Sequence, residues 1–162
     1  VTHKVINTNA EEMYFSIGAH PAFNCNLGDT LTFEYDETLY SERIDRDSVI
    51  TGDKDLILQN SNKIELTEHL FDNDALIFPN VKSNYVILNE KKAGKHIRFT
   101  FGDSPFLAIW AKPAAPFVCI EPWYGVNDSY EKATDFSKKR GIQKLSSGEK
   151  FEFSWSAEFK ED

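Results

Sequence analysis

The sequence predicts an all-β fold, an antiparallel β-sandwich, and three observations support that prediction. Short runs of β-favouring residues recur at short spacing with Gly- and Asp-containing turns between them, which is typical of sandwiches and barrels. Aromatic residues make up 14% of the 162 residues and include thirteen Phe. Helix-forming runs of Ala and Leu are scarce, so residues 1–162 are expected to form a single sheet domain.

The predicted strands follow one another along the whole chain. A first run at residues 1–7 alternates apolar and polar side chains, and a last run at 150–159 alternates aromatic and polar ones, so each should bury one face. Helical signal is thin, with single turns expected at 67–71 and 135–139. The strands predicted between the first and last runs cover residues 13–18, 30–35, 55–59, 63–66, 76–78, 85–89, 95–101, 106–111 and 117–121.

The chain begins directly in a predicted strand and has no initiating Met. A sheet that starts at the first residue suggests that strands preceding it are missing. We therefore expect this chain to be the C-terminal portion of a larger sandwich, which the N-terminal part of the same protein completes.

Composition and charge argue against several classes of function. A net charge of −8, with only short basic runs beside glycines, disfavours nucleic acid or an anionic membrane as a partner. No apolar stretch of the sequence approaches the ~20 residues of a membrane span. Cys25 and Cys119 are too few for a disulfide framework, and neither belongs to a metal-type pair. Two buried thiols in a reducing cytoplasm, with no metal site, are therefore expected.

The segment from Phe117 to Gly125 is the most informative part of the sequence. Strand alternation puts Phe117, Cys119 and Glu121 on one face. Pro122 is expected to end the strand, so Glu121 should lie at its mouth. A carboxylate at the edge of an apolar surface is partly desolvated, which raises its pKa toward the range of a general base. The alternative is a solvated Glu at a strand end, or one paired with a Lys.

A second segment, residues 16–24, is built in the same way. A strand ends in His20, and Pro21 and an aromatic residue follow. An imidazole can donate or accept a proton near neutral pH. The alternative is a histidine that bonds a backbone carbonyl at a turn. Taken together with Glu121, however, His20 suits acid–base chemistry on an uncharged sugar ring, because aromatic faces cover the C–H face of a sugar while polar groups bond its hydroxyls.

Both segments resemble a known family. Gly-x-His-Pro-x-Phe-Asn at 18–24 and Phe-Val-Cys-Ile-Glu-Pro-Trp-x-Gly at 117–125 are similar to the two signature segments of the aldose 1-epimerase (galactose mutarotase) family. Residues 107–111 also resemble the family strand that leads into the glutamate loop. The similarity covers nearly the whole chain in the correct order, and it is closest to the LacX-like branch.

The resemblance implies the mutarotase-like supersandwich fold and an isomerase that interconverts the α and β anomers of a free hexose such as galactose or glucose. It implies that Glu121 is the base at the C1 hydroxyl and that His20 is the acid at the ring oxygen. It implies no cofactor and no metal. The family also uses an aspartate to bind sugar hydroxyls. Asp74, directly before an apolar strand, matches it better than Asp72, although either acid could instead cap a turn.

Further candidates for contact with the monosaccharide are the aromatic and amide residues of these segments, Trp110, Trp123, Phe23 and Asn24. An aromatic residue in a strand more often belongs to the core, so the alternative for Trp110 is simple packing.

Two other functions fit the same resemblance. One is a non-catalytic, sugar-binding β-sandwich that kept the pocket and lost turnover. The other is a hexose-6-phosphate 1-epimerase, which would need a basic cluster beside the sugar, and the two motif segments contain none. The family also places another histidine and a substrate-binding arginine on earlier strands. The fragment alone is therefore expected to be weakly active or inactive.

Overall fold

The computed structural model of the protein describes residues 1–91, 94–131, 133 and 135–161. Its elements are almost all β-strands joined by turns, with a single 3₁₀ turn at Phe136–Lys138. The fourteen strands of the described residues are β1 (Thr2–Ile6), β2 (Met13–Phe15), β3 (Ile17–Gly18), β4 (Ala22–Asn24), β5 (Thr30–Ile44), β6 (Ile50–Glu65), β7 (Leu76–Pro79), β8 (Tyr85–Asn89), β9 (Lys95–Thr100), β10 (Phe106–Trp110), β11 (Phe117–Tyr124), β12 (Gln143–Leu145), β13 (Lys150–Ser154) and β14 (Ser156–Glu161).

Ten of these strands form one large sheet, and the other four form two short ribbons. The order in the large sheet is β14-β9-β8-β5-β7-β10-β11-β3, with β4 also paired to β11 and β6 also paired to β5. In the ribbons, β1 pairs with β13 and β2 pairs with β12. Every strand pair within the described ranges is antiparallel, which confirms the predicted all-β antiparallel architecture.

Several predicted strands differ from the observed ones because strands bend or change partners. The two runs predicted within residues 55–66 are parts of one strand, β6, whose pairing with β5 shifts register at bulges. The run predicted at 13–18 divides at Ser16, where the chain leaves β12 and pairs with β11. The run at 150–159 divides in the same way at Trp155, where it leaves β1 for β9.

Helical structure is minimal. Residues 67–71 fold into hydrogen-bonded turns, in which the Leu70 N–H donates to the Thr67 carbonyl. The other predicted segment contains the 3₁₀ turn, and the Asp135 carboxylate caps it by accepting a hydrogen bond from the Ser137 N–H. Within the described ranges we find no helix long and apolar enough to cross a membrane.

The two faces of the large sheet have different environments. One face carries the main hydrophobic cluster, which includes the fully buried side chains Leu31, Phe33, Phe78, Val86, Phe99, Leu107, Ile109, Val118 and Ile120. A smaller cluster on the opposite face consists of Ile50, Ile77, Phe106, Ala108 and Val126. Because successive residues of a strand point to opposite faces, Glu121 projects on the side of the smaller cluster.

Pro122 does not end β11, contrary to the prediction from the sequence. The strand continues through Pro122, which pairs with Leu107 of β10. The Pro122 carbonyl accepts a hydrogen bond from the Ala19 N–H, so the proline nitrogen also faces the connection between β3 and β4. The missing N–H therefore leaves the pairing with β10 intact. As a consequence, Glu121 lies inside a continuous strand and not at its mouth.

Candidate active site

Glu121 and His20 meet beside β11, where the connection between β3 and β4 passes it. β4 pairs with residues 117–119 of that strand, and β3 pairs with its last two residues. The connection at 19–21 therefore lies next to Glu121, and His20 Nε2 is 3.4 Å from Glu121 Oε1. Two segments that are distant in the sequence thus bring an imidazole and a carboxylate into contact.

The Glu121 carboxylate is almost completely buried, with only 2% of the residue exposed. Its Oε2 accepts a hydrogen bond from Trp123 Nε1 at 3.1 Å. Burial raises the pKa of Glu121 above its ordinary value, and this effect outweighs the opposing influences of His20 and of the Trp123 N–H. A carboxyl group with a raised pKa can hold a proton transiently, as a general base requires.

Gly18 allows Trp123 to reach this carboxylate. The two residues are paired between β3 and β11, and a Cβ added at Gly18 would lie 2.8 Å from Trp123 Cδ1. A side chain at this position would therefore displace the indole ring. The glycine that opens the first motif thus has a packing role at the second motif.

A cavity of about 250 Å³ opens above the Glu121–His20 pair. The His20 side chain is 61% exposed, so the pair is accessible from solvent on this side. The residues that line the cavity are His20, Ile44, Ser48, Asp74, Ala75, Ile77, Trp110, Glu121, Trp123 and Asn127. Apolar and aromatic side chains with a few polar groups among them are typical of a small-molecule site.

The structure places three of the candidate sugar contacts at this cavity. Trp110 and Trp123 both line it, and the Trp110 ring is 6.3 Å from the His20 ring in an edge-on arrangement. Asp74 lines it as well, with a left-handed backbone (φ 74°) and a hydrogen bond from the Ala75 N–H to its own carboxylate. A left-handed backbone in a residue other than glycine is often found at a functional site.

Asp72, the alternative to Asp74, lies elsewhere. It lines a neighbouring cleft, and its Oδ2 is 2.9 Å from His69 Nδ1. The sequence left these two acids unresolved because they are only two residues apart. The turns at 67–74 separate them, because Asp74 lies where the cavity and the cleft adjoin and lines both, whereas Asp72 lines the cleft alone.

Phe23 and Asn24 also lie away from the cavity, which corrects the expectation from the first motif. Phe23 faces Val118 across the strand pair and is buried in the main cluster, with its ring 5.5 Å from that of Phe99. Asn24 lines a separate cavity near Phe159. Strand alternation in β4 directs Phe23 to the face opposite Glu121. Asn24 pairs with Phe117, which lies four residues before Glu121 along β11.

Sequence reasoning missed Ser48 and Asn127. The two residues lie on loops that run side by side, and Asn127 Nδ2 donates to the Ser48 carbonyl at 2.8 Å. The loops are also joined where the Ile50 N–H donates to the Asp128 carbonyl at 2.7 Å. Ser48 has a left-handed backbone like that of Asp74 (φ 59°). Only Asn127 carried a usable signal, since it follows the second motif by two residues.

A further neighbour of the pair is Cys119, one strand repeat before Glu121. The Cys119 sulfur, a His20 ring nitrogen and a Glu121 carboxylate oxygen all lie within 4.8 Å of one another. The sequence indicated no metal-type cluster, because two of these residues are separated from the third by most of the chain. Side chains of these three types can ligate a metal ion.

Known proteins resemble this chain in both sequence and fold. The sequence model of the family described as aldose 1-epimerase matches residues 1–156. The plasmid-encoded protein LacX of Lactococcus lactis subsp. lactis is 34% identical, and the match covers 88% of this chain and 51% of LacX. The chain thus spans about half the length of the curated relatives it matches.

Solved structures give the same result. A galactose mutarotase related enzyme from Lactobacillus acidophilus superimposes with a TM-score of 0.88 at 28% identity, over 98% of this chain and 56% of that one. A galactose mutarotase-like protein from Lactobacillus casei superimposes with a TM-score of 0.87 at 29% identity, over 98% of this chain and 58% of that one. This likeness confirms the predicted galactose mutarotase-like β-sandwich. By its sequence and its fold, the chain belongs to the aldose 1-epimerase family.

Proposed function

We propose that this protein interconverts the α and β anomers of a free hexose, with Glu121 as the base and His20 as the acid. The observation that carries the proposal is the 3.4 Å contact between the two side chains at the floor of an open cavity. The anomeric oxygen and the ring oxygen of a pyranose are bonded to the same carbon, so two adjacent groups can reach both. The buried carboxylate with its raised pKa supports the role of base.

In the proposed reaction, Glu121 removes the proton of the C1 hydroxyl while protonated His20 donates its proton to the ring oxygen. The electron pair of the O–H bond forms the C1 carbonyl. The bond between C1 and the ring oxygen breaks, and its electron pair moves to the ring oxygen. The open aldehyde rotates about its C1–C2 bond and presents the other face. The reverse transfers then close the opposite anomer and return both side chains to their starting protonation states.

Binding of the sugar is assigned to the cavity wall. Trp110 and Trp123 offer aromatic surface for the C–H groups of the ring, and the Asp74 carboxylate accepts hydrogen bonds from hydroxyls. Asn127 supplies a further polar group at the rim. This assignment uses Asp74 and Asn127 as partners for sugar hydroxyls and requires no charged substrate.

The charges beside the cavity favour a free hexose over a hexose phosphate. The neighbouring cleft contains Arg43 and Arg46, but the Arg43 guanidinium is already bonded to Asp55, with Nε 2.6 Å from Oδ2. The acids that line the same cleft outnumber the arginines; they are Asp45, Asp53, Asp72 and Asp74. A phosphate would therefore meet net negative charge.

Polarimetry of freshly dissolved α-galactose, with the protein at its natural length, tests the proposal. Glu121→Gln and His20→Ala should each lower the enzymatic rate of anomer interconversion by at least ~100-fold. His69→Ala is the matched control, because His69 is also exposed and also contacts a carboxylate, and its rate should stay at the wild-type level. Wild-type rates in Glu121→Gln would refute the assignment of the base. Galactose binding without turnover in the wild-type protein would favour the non-catalytic alternative.

A further inference from the structure

We propose that His20, Cys119 and Glu121 form a three-ligand site for a thiophilic divalent cation of the zinc class, and that the bound cation blocks the acid–base pair. The three ligand atoms lie within 4.8 Å of one another. The blocking rests on the proposed function, whereas the binding does not. The cation is an inhibitor in this proposal and has no part in turnover.

The distances fit tetrahedral zinc. With Zn–N and Zn–O bonds of about 2.0–2.2 Å, two ligand atoms of a tetrahedral site lie ~3.3–3.6 Å apart. His20 Nε2 and Glu121 Oε1 are 3.4 Å apart before any cation is bound. The Cys119 sulfur lies within 4.8 Å of both of these atoms. An approach of roughly 1 Å would bring it to the separation that three ligands of a tetrahedral zinc ion require.

The backbone holds two of the ligands in place. Cys119 and Glu121 are alternate residues of β11, so their side chains leave the same face side by side, and only 3% and 2% of these residues are exposed. Glu121 Oε2 is held by the Trp123 N–H, which leaves Oε1 for the cation. His20, exposed and on a connection between strands, is the ligand that can adjust.

Charge and chemical softness indicate which cation would bind. One thiolate and one carboxylate cancel the two positive charges of the cation, so a nearly buried site becomes neutral when the Cys119 proton leaves to solvent. The cavity above the pair leaves the fourth position open to water. A sulfur ligand favours Zn²⁺, Cd²⁺ and Co²⁺ over Mg²⁺ and Ca²⁺, which prefer oxygen.

Binding is tested by cobalt spectroscopy and by zinc competition. Added Co²⁺ should produce a thiolate-to-cobalt charge-transfer band in the near ultraviolet, and Zn²⁺ should remove it. Cys119→Ser should abolish the band and weaken Zn²⁺ binding, measured against a chromophoric chelator, by at least ~100-fold, because loss of a ligand costs more than loss of an outer partner. Cys25→Ser is the matched control, since Cys25 is the other buried free thiol, and both readouts should be unchanged.

His20→Ala keeps the test decisive if Cys119→Ser does not fold. The His20 side chain is exposed, so the variant should keep the wild-type circular dichroism spectrum and still lose zinc affinity. A wild-type protein without the charge-transfer band, or a band that survives in Cys119→Ser, would overturn the proposed site.

The activity measurement separates this inference from the proposed function. Zn²⁺ should suppress anomer interconversion in the wild-type protein, a chelator should restore it, and Mg²⁺ should have no effect. A protein that binds Zn²⁺ through Cys119 but has no epimerase activity would refute the proposed function and retain the metal site. An active epimerase indifferent to Zn²⁺ would refute the inhibition and leave the proposed function intact.

Discussion

Glu42 and Glu121 lie on the same face of the large sheet, in one row that crosses it through Ile77 and Ala108. Both carboxylates are buried, but their partners differ. Glu42 accepts hydrogen bonds from two nitrogens of the Arg140 guanidinium. Within the part of the chain that the structure describes, the polar partners of Glu121 are the neutral indole of Trp123 and the titratable ring of His20. One buried acid is thus compensated by a permanent positive charge, whereas the other can gain and lose a proton.

This difference predicts opposite effects of two Glu→Gln substitutions on stability. Since burial raises the pKa of Glu121, its contribution to stability is full below the unfolded-state pKa and is lost as pH rises through the folded-state pKa. Glu121→Gln should therefore raise the melting temperature at pH 8, by an amount that shrinks toward pH 4. Glu42→Gln should lower stability by roughly 1–3 kcal/mol, because it weakens the bonds to Arg140. Melting curves at several pH values measure both effects. Equal changes in melting temperature for the two variants at pH 8 would contradict the predicted difference between the two carboxylates.

Trp123→Phe should shift the pH dependence of activity. The indole N–H lowers the pKa of Glu121, so its removal should raise that pKa further. A base must be ionised to accept a proton, so the acidic limb of kcat/KM should move to higher pH. Trp110→Phe is the control, because Trp110 lines the same cavity and is not the residue that bonds Glu121. An acidic limb that moves equally in both variants would argue against the indole bond as the cause.

The two neighbouring acids provide a matched pair of variants. Asp74→Asn should lower kcat/KM by roughly 10- to 100-fold, because a hydrogen bond to a charged group is worth about 1.5–3 kcal/mol. Asp72→Asn should leave kcat/KM near the wild-type value, since Asp72 lies at the neighbouring cleft and contacts His69. Initial rates over a range of galactose concentrations distinguish them. A larger loss in Asp72→Asn would reverse the assignment.

Much of the fold could be predicted because it depends on local pattern. The runs at 85–89, 95–101 and 106–111 match the observed strands within a residue, since alternation and turns are local features. The bulged strand β6 was divided wrongly, because a bulge interrupts the alternation without ending the strand. The strand interruptions at Ser16 and Trp155 were missed, because they arise where the chain changes its pairing partner.

By itself, the sequence determined that this is an antiparallel β protein of the aldose 1-epimerase family and that Cys119 and Glu121 share a face. These properties follow from the two-residue period of a strand and from motifs contiguous in the chain. Only the tertiary structure decided that His20 reaches Glu121, that Asp74 and not Asp72 lines the cavity, and that Phe23 faces the core. The physical reason is that pairing and turns set which distant segments come together and where each side chain points, and no local pattern encodes that outcome.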